Sequence, residues 1–146
     1  MKENNNLLTH DLWSAKEYNN TTTWINDNSQ SKIESSNKFS TIGEKSLKYK
    51  HTRSEWGDYV YTTISNIQTN TQYTLSFDAY IRQGILNVRL ANDSRLNTLS
   101  QVEVPSSDKI QHISLSCTTP SSINALIIQL FDNNSCVCYL DNFMLI

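Results

Sequence analysis

Residues 73–81 read YTLSFDAYI, and this stretch decides the fold class of the chain. Apolar side chains occupy every second position from Tyr73 to Ile81, and Asp78 and Tyr80 are among the residues between them. Successive side chains of a β-strand point to opposite faces of the sheet, so a period of two is typical of a strand with one buried face. The stretch therefore predicts a half-buried strand of an antiparallel sheet.

The same alternation recurs along the chain. It is repeated in residues 86–90 and 112–116, whereas residues 125–131 and 137–146 are more uniformly apolar, as expected of strands in the middle of a sheet or covered on both faces. Segments rich in Asn, Ser, Asp, Gly and Pro separate these runs and are typical of turns. Apolar positions with helical spacing extend nowhere beyond about one turn. The pattern predicts an all-β fold, a two-sheet antiparallel β-sandwich of the jelly-roll type.

Length and composition limit the domain organisation and the partners. A chain of 146 residues is expected to form a single β-sandwich domain spanning 1–146, with residues 1–6 as a linker or an added start. The formal net charge is −2 and the basic residues do not cluster, so nucleic acid is not a predicted partner. No apolar stretch is long enough to span a membrane, and membrane insertion is not expected.

The start of the chain and its cysteines leave alternatives open. Residues 1–6 lack the apolar core of a secretory signal, but a module taken from a longer secreted or surface protein would begin in the same way. Cys117, Cys136 and Cys138 could pair with one another or remain buried free thiols, which behave as small hydrophobic residues. The histidines are scattered and no CxxC motif occurs, so the pattern does not favour a zinc site.

A set of short motifs spans nearly the whole chain. They are NLL at 6–8, a following Trp13 or Trp24, a glycine before a short strand at 43–49, a Trp-Gly pair at 56–57 leading to the strand at 71–77, and YLDN at 139–142. On these motifs the chain resembles carbohydrate-binding modules of families 4, 9 and 22, which are galactose-binding-like jelly rolls. Residues 9–12 and 109–112 depart from the family pattern. The resemblance implies a jelly roll that binds sugar.

The resemblance also implies a structural calcium ion far from the sugar. Its ligands would be Asp11 after the first strand, backbone carbonyl groups near Gly43 and Glu44, and Asp141 of the last strand. Calcium takes about six to eight oxygen ligands, which two carboxylates, carbonyl groups and water can supply. Asp141 interrupts an apolar strand, where a carboxylate is costly to bury without a partner or a cation. The alternative is that Asp141 accepts backbone hydrogen bonds in a turn or pairs with a lysine.

Sugar recognition needs aromatic rings for the C–H faces of a pyranose and planar polar side chains for its hydroxyl groups. We expect the polar sides of the strands to form one concave sheet face with these properties, and Tyr80 is the leading candidate for a stacking platform. The predicted ligand-binding residues are Asp78, Tyr80, Arg82, Asn87, Arg89, His112 and Gln129 on that face, with Trp24, Trp56, Tyr59 and Tyr61 near it. The alternatives are core or loop packing for the two tryptophans and a cross-strand pair between Arg89 and Asp78.

No motif in the sequence indicates catalysis. Phosphate-binding Gly-rich loops, GxSxG and HExxH are absent, and the acidic residues Glu55 and Asp58 have the character of solvated loop residues. We therefore predict a non-catalytic carbohydrate-binding module of a larger protein that is extracellular, on a cell surface or part of a virion such as a phage tail. The alternative function is a structural or adhesive β-sandwich that contacts protein rather than sugar.

Overall fold

The computed structural model describes residues 25–26, 31–39, 46–51, 60–92, 97–132 and 135–146. These ranges contain ten β-strands and no helix, which confirms the predicted all-β fold, and none of them forms a helix that could cross a membrane. The strands are β1 (Ile25–Asn26), β2 (Ser31–Ser36), β3 (Ser46–His51), β4 (Val60–Ile64), β5 (Gln72–Gln83), β6 (Ile85–Asn92), β7 (Thr98–Pro105), β8 (Gln111–Thr118), β9 (Leu126–Phe131) and β10 (Cys136–Leu145).

Two antiparallel sheets of five strands each form the sandwich. Sheet A has the order β1-β4-β9-β6-β7, and sheet B has the order β2-β3-β10-β5-β8. The two strands with the most uniformly apolar sequences, β9 and β10, each lie third of five in their sheet. This confirms the prediction that these two segments are central strands.

The core lies between the sheets and consists of their inward side chains. On β5, Leu75, Phe77 and Ile81 are fully buried, which confirms what the alternation of residues 73–81 predicted. The ring of Phe77 stacks on that of Phe143 from β10, with centroids 5.5 Å apart. Burial of one such side chain contributes roughly 1.5–3 kcal/mol of transfer free energy. Burial on one side leaves the outer face of each strand available for other contacts.

A single residue, Gly84, links β5 of sheet B to β6 of sheet A. Its φ of +81° lies in the left-handed region that residues with a Cβ avoid. A Cβ at this position would also collide with the backbone carbonyl of Ser135. The chain therefore changes sheet within one residue, and only glycine fits the corner without strain.

A buried polar cluster joins the two sheets. The carboxylate of Asp132, directly after β9, accepts a hydrogen bond from the hydroxyl of Tyr49 at 2.7 Å, and its second oxygen lies 2.8 Å from Nδ1 of His51. Both partners are on β3 of the other sheet, and all three residues are at most 1% exposed. Hydrogen bonds to a charged group are strong where water is excluded. The cluster therefore fixes sheet A against sheet B.

All three cysteines are free and buried, so the free-thiol alternative is the correct one. Burial raises the pKa of the Cys117 thiol. Burial, with a smaller contribution from its hydrogen bond to Cys136, raises the pKa of Cys138 well above its ordinary value. A thiol that stays protonated is a poor nucleophile and a poor metal ligand. Cys117 and Cys138 therefore act as packing residues.

Candidate functional site

The residues predicted to share one concave face lie on two opposite faces of the sandwich. Three belong to sheet A, Asn87, Arg89 and Gln129, and Tyr61, which was predicted near the face, lies on the same sheet. Four belong to sheet B: Asp78, Tyr80, Arg82 and His112. The prediction of a single face is therefore wrong. Alternation assigns a side chain to the inner or outer side of its strand, but the corner at Gly84 transfers the chain to the other sheet between the two groups.

The predicted residues on sheet A project outward because their neighbours along each strand are buried in the core. On β6, Val88 and Leu90 belong to the core, so Arg89 between them projects from the opposite side of the sheet. On β9, Ile128 and Leu130 have the same effect on Gln129. The outer face of sheet A is therefore built by the same alternation that builds the core.

Four side chains form a line across the outer face of sheet A, which we call the polar row: Tyr61, Gln129, Arg89 and Gln101. The strand register pairs Tyr61 with Gln129, Gln129 with Arg89, and Arg89 with Gln101. Directly paired residues of adjacent strands place their side chains on one face, and adjacent strands are about 4.8 Å apart. The polar row therefore runs perpendicular to β4, β9, β6 and β7.

Arg89 is held in place from several directions. Its Nε donates a hydrogen bond to Oε1 of Gln101, and its Nη1 donates to Oε1 of Gln129, both at 3.3 Å. Its guanidinium carbon lies over the ring of Phe131, 4.6 Å from the centroid. Gln101 in turn contacts Oδ1 of Asn87 at 3.5 Å. An arginine ordered in advance loses little entropy when it binds a ligand.

Gln129 has a donor that the described residues do not use. The residue is 0% exposed, and its Nε2 has no hydrogen-bond partner within the described part of the chain. A buried donor without a partner costs about 1–3 kcal/mol. Such groups in native structures often serve an ordered water or a ligand. The middle of the polar row therefore offers a donor to a molecule that reaches it.

Two members of this site were not predicted from the sequence, Gln101 and Phe131. Gln101 alternates with Val102 and Val104, which pack against the core, so the alternation of β7 is a signal that could have identified it. Phe131 is 2% exposed and ends a strand that is buried on both faces. Nothing in that apolar run distinguishes the ring under an arginine from a core residue.

The outer face of sheet B carries a group of rings that we call the aromatic cluster: Phe39, Tyr80 and Tyr139. The ring of Tyr80 lies 5.3 Å from that of Phe39 and 6.4 Å from that of Tyr139, measured between centroids. The guanidinium of Arg82 lies 5.5 Å from the Tyr80 centroid. Tyr80 is half-buried, and its ring therefore already packs on other protein groups.

Asp78 has a different partner from the one considered in the sequence. Its Oδ1 lies 2.8 Å from Nδ1 of His112, on the neighbouring strand, and Nδ2 of Asn142 lies 3.4 Å from its Oδ2. A pair between Asp78 and Arg89 is excluded because the two residues lie on different sheets. The side chain of His112 is 65% exposed, so this contact lies at the surface.

Several predicted site residues lie outside the described ranges: Trp24, Trp56 and Tyr59 for the sugar, and Asp11, Gly43 and Glu44 for calcium. Asp141 is described and is 3% exposed. Its Oδ1 accepts a hydrogen bond from the backbone N–H of Asn142 at 2.9 Å. Among the described residues, no group of three or more His, Cys, Asp or Glu side chains could hold a metal.

The surroundings of Asp141 fit a hard cation in one respect. Leu140 pairs with Leu47, so the next residues at the end of that ladder are Asp141 and Ser46. The hydroxyl of Ser46 is buried and has no hydrogen-bond partner within the described ranges. A buried carboxylate and an unpartnered hydroxyl at neighbouring positions are oxygen ligands of the kind that calcium takes.

A family model for a carbohydrate-binding domain, the CBM_4_9 model, matches residues 6–135. The chain belongs to this family. The match confirms the resemblance drawn from the short motifs, and the whole polar row lies within the matched residues. No sequence among the curated proteins matches the chain.

Solved structures share the fold at low sequence identity. Tailspike protein 4 of bacteriophage CBA120 has a TM-score of 0.69 and 13% identity over 94% of this chain, which corresponds to 21% of that chain. The CBM22-1–CBM22-2 tandem domain of Paenibacillus barcinonensis Xyn10C has a TM-score of 0.67 and 18% identity over 98% of this chain and 50% of its own. TmCBM61 in complex with β-1,4-galactotriose has a TM-score of 0.62 and 13% identity over 97% of both chains.

Proposed function

We propose that this domain binds an oligosaccharide or polysaccharide on the outer face of sheet A and catalyses no reaction. The family match supports carbohydrate as the class of ligand. The observation that carries the location is the buried Gln129 amide, whose Nε2 lacks a partner within the described residues, beside an arginine fixed over Phe131. No other outer-face position in those ranges combines a buried unpartnered amide donor with an ordered cation.

The chemistry of the polar row suits sugar hydroxyl groups. Arginine and glutamine present hydrogen-bonding atoms in fixed planes, which match neighbouring hydroxyl groups on a ring. A hydroxyl group both accepts and donates, so one sugar oxygen could accept from Nε2 of Gln129 and donate to another group. The cost of burying that amide is already present in the free protein. Binding would therefore gain a hydrogen bond without a further loss of hydration at Gln129.

The length of the polar row favours a linear glycan over a single sugar. A ligand laid along it crosses four strands, or about 14 Å from Tyr61 to Gln101 at the usual strand spacing. Tyr61 is half-buried and adds an aromatic ring at one end. Two structures that contain this fold are complexes with linear oligosaccharides: the CBM22-1-GH10 modules of a Clostridium thermocellum xylanase with xylohexaose, and TmCBM61 with β-1,4-galactotriose.

The parent protein is the second part of the proposal. We place the domain in a larger extracellular or virion protein, where it would bring its neighbours to a glycan surface. Support comes from two similar structures that are parts of longer chains, the phage tailspike and the xylanase, of which this chain covers 21% and 27%. A module of this kind raises the local concentration of whatever is attached to it.

A glycan array followed by calorimetry tests the proposal. The full chain is screened on the array and then titrated with the best oligosaccharide, with xylohexaose and β-1,4-galactotriose as reference probes. Arg89→Ala and Gln129→Leu should each weaken binding by about 10- to 100-fold, as expected for groups at the centre of a contact. Gln129→Leu keeps most of the side-chain volume, so its effect reports the lost amide.

The control variant is Ser114→Ala, an exposed position on β8 of the other sheet, which should bind like wild type. If Arg89→Ala and Gln129→Leu also bind like wild type, the site does not lie on the polar row. If no glycan on the array binds, the structural or adhesive function replaces this proposal.

A further inference from the structure

We propose that the domain carries a second, independent sugar site on the outer face of sheet B, in a cavity that we call the tyrosine pocket. The cavity has a volume of about 340 Å³ and is lined by Tyr80, Arg82, Ser106, Ser107 and Asp108. Small-molecule sites in proteins range from about 300 to 1,000 Å³. The tyrosine pocket is at the low end of this range, which suits one sugar unit at the end or on a branch of a glycan.

Two of the lining groups have hydrogen-bonding capacity that the described residues leave unused. Within those residues, no hydrogen bond or ion pair involves the guanidinium of Arg82, which lies over the Tyr80 ring, or the carboxylate of Asp108. Arginine supplies up to five donors and a carboxylate supplies only acceptors, so the two together can serve both ends of a sugar hydroxyl group. Their charges cancel, which favours a neutral sugar over an anion.

The loop that carries Ser106–Asp108 is fixed to the sheet before any ligand arrives. The backbone N–H of Ser107 donates to the carbonyl of Ile81 at 3.1 Å, and the N–H of Lys109 donates to the hydroxyl of Ser107 at 3.1 Å. Nε2 of Gln111 donates to the carbonyl of Pro105 at 2.9 Å. These three hydrogen bonds hold the backbone of the loop beside β5 and fix the hydroxyl of Ser107, which lowers the entropy cost of binding.

Tyr80 gives the tyrosine pocket its fixed wall. Phe39 and Tyr139 pack against its ring from the protein side, so the ring does not need to be ordered by the ligand. Arg82 rests over the same ring. An arginine over an aromatic ring, Arg89 over Phe131, also stands at the centre of the polar row on the opposite face. In both sites an aromatic ring therefore orients a guanidinium group.

This inference goes beyond the proposed function and shares with it only the class of ligand. A domain with sugar sites on both outer faces could bridge two glycan chains, and its attachment to a surface would exceed what either site provides alone. The tyrosine pocket needs no contribution from the polar row. The two sites can therefore succeed or fail separately in experiment.

The test is an amide-resolved NMR titration of the full chain with methyl glycosides of xylose, glucose, galactose and mannose, one at a time. At least one glycoside should move the amide signals of Arg82, Ser107 and Asp108 in a saturable way. Arg89→Ala, on the opposite face, should leave these shifts unchanged. Arg82→Ala and Asp108→Asn should each weaken the binding by at least about tenfold. Both are exposed positions, and an unchanged melting temperature confirms folding.

Other outcomes overturn the inference. If none of the four glycosides moves these signals, or if the shifts persist in both Arg82→Ala and Asp108→Asn, the tyrosine pocket is not a sugar site. If inorganic phosphate causes the same shifts and the glycosides cause none, Arg82 binds anions rather than sugar. A wrong polar-row proposal would give a different result: oligosaccharides would leave the amide signals of Asn87 and Arg89 unchanged.

Discussion

The outer faces of both sheets carry an arginine over an aromatic ring, but the two arrangements differ in how deeply they are buried. On sheet A an arginine lies over Phe131, which is 2% exposed, and contacts Gln129, which is 0% exposed. On sheet B an arginine lies over the half-buried Tyr80 and is itself exposed, next to a loop rather than a neighbouring strand. The arginine on sheet A contacts buried residues of the sheet, whereas the arginine on sheet B lies on its exposed surface. Substitutions on sheet A that remove a buried group with a protein partner should therefore affect stability and binding together, whereas those at the exposed residues of sheet B should affect binding alone.

The largest effect is expected at Asp132, which follows Phe131 and ties sheet A to β3 of sheet B. Asp132→Ala leaves His51 and Tyr49 buried without their acceptor, and removal of one partner from a buried pair costs about 3–5 kcal/mol. Urea unfolding of wild type and variant measures the difference. Asp108→Ala, on the exposed rim of the tyrosine pocket, is the control and should change the free energy of unfolding by less than about 0.5 kcal/mol. A cost below about 1 kcal/mol for Asp132→Ala would mean that the cluster does not hold the sheets together.

Calcium should give the next largest effect if it binds at Asp141. A ligand that binds only the folded state stabilises it by about 2.7 kcal/mol at a hundredfold excess over its dissociation constant. Chelation with EGTA should therefore lower the melting temperature of the wild type and have no effect on Asp141→Ala. Ser46→Ala should weaken the response. An identical wild-type melting curve with and without chelator would contradict the predicted calcium site.

Gln129→Leu separates binding from stability on sheet A. The substitution removes an unpartnered buried donor and keeps a similar volume, so the free energy of unfolding should stay within about 1 kcal/mol of wild type or increase. Oligosaccharide affinity should fall in the same variant. Thermal unfolding and calorimetry on one preparation give both values. A destabilisation above about 2 kcal/mol would show that this amide has a structural partner, and binding and stability would then be coupled at Gln129.

The smallest effect is expected from the Asp78–His112 pair on sheet B. Contacts between polar side chains at the surface contribute about 0.2–1 kcal/mol, because water competes with them and the side chains lose freedom. A double-mutant cycle with Asp78→Asn and His112→Gln should give a coupling energy in that range. A larger coupling would mean that the outer face of sheet B is as tightly built as that of sheet A.

The sequence predicted the fold well because the fold depends on local signals. The alternation in β5 identified its buried side, and the uniformly apolar runs identified β9 and β10 as central strands. These signals depend only on which side of a strand meets water. The function class followed from the motifs at both ends of the chain, and the family match supports it.

The candidate site was only partly predictable because sheet membership is not a local property. Arg82 and Arg89 are seven positions apart and both alternate outward, yet their sheets are decided by pairing with β10 and β9, far along the chain. The ring under Arg89 could not be predicted, because Phe131 lies in a run that is apolar on both sides. The buried polar cluster between the sheets was not predicted for a similar reason, because Asp132 and Tyr49 are 83 positions apart in the sequence.

The glycine corner makes this domain a convenient scaffold for protein engineering. Because β5 and β6 meet at Gly84, a single short gene cassette covering residues 78–92 encodes side chains on both outer faces of the sandwich. Two libraries could be built in that cassette, one at the outward positions of each strand, and selected against different targets. Gly84 itself must be kept, because its positive φ disfavours a side chain and a Cβ would collide with the backbone carbonyl of Ser135.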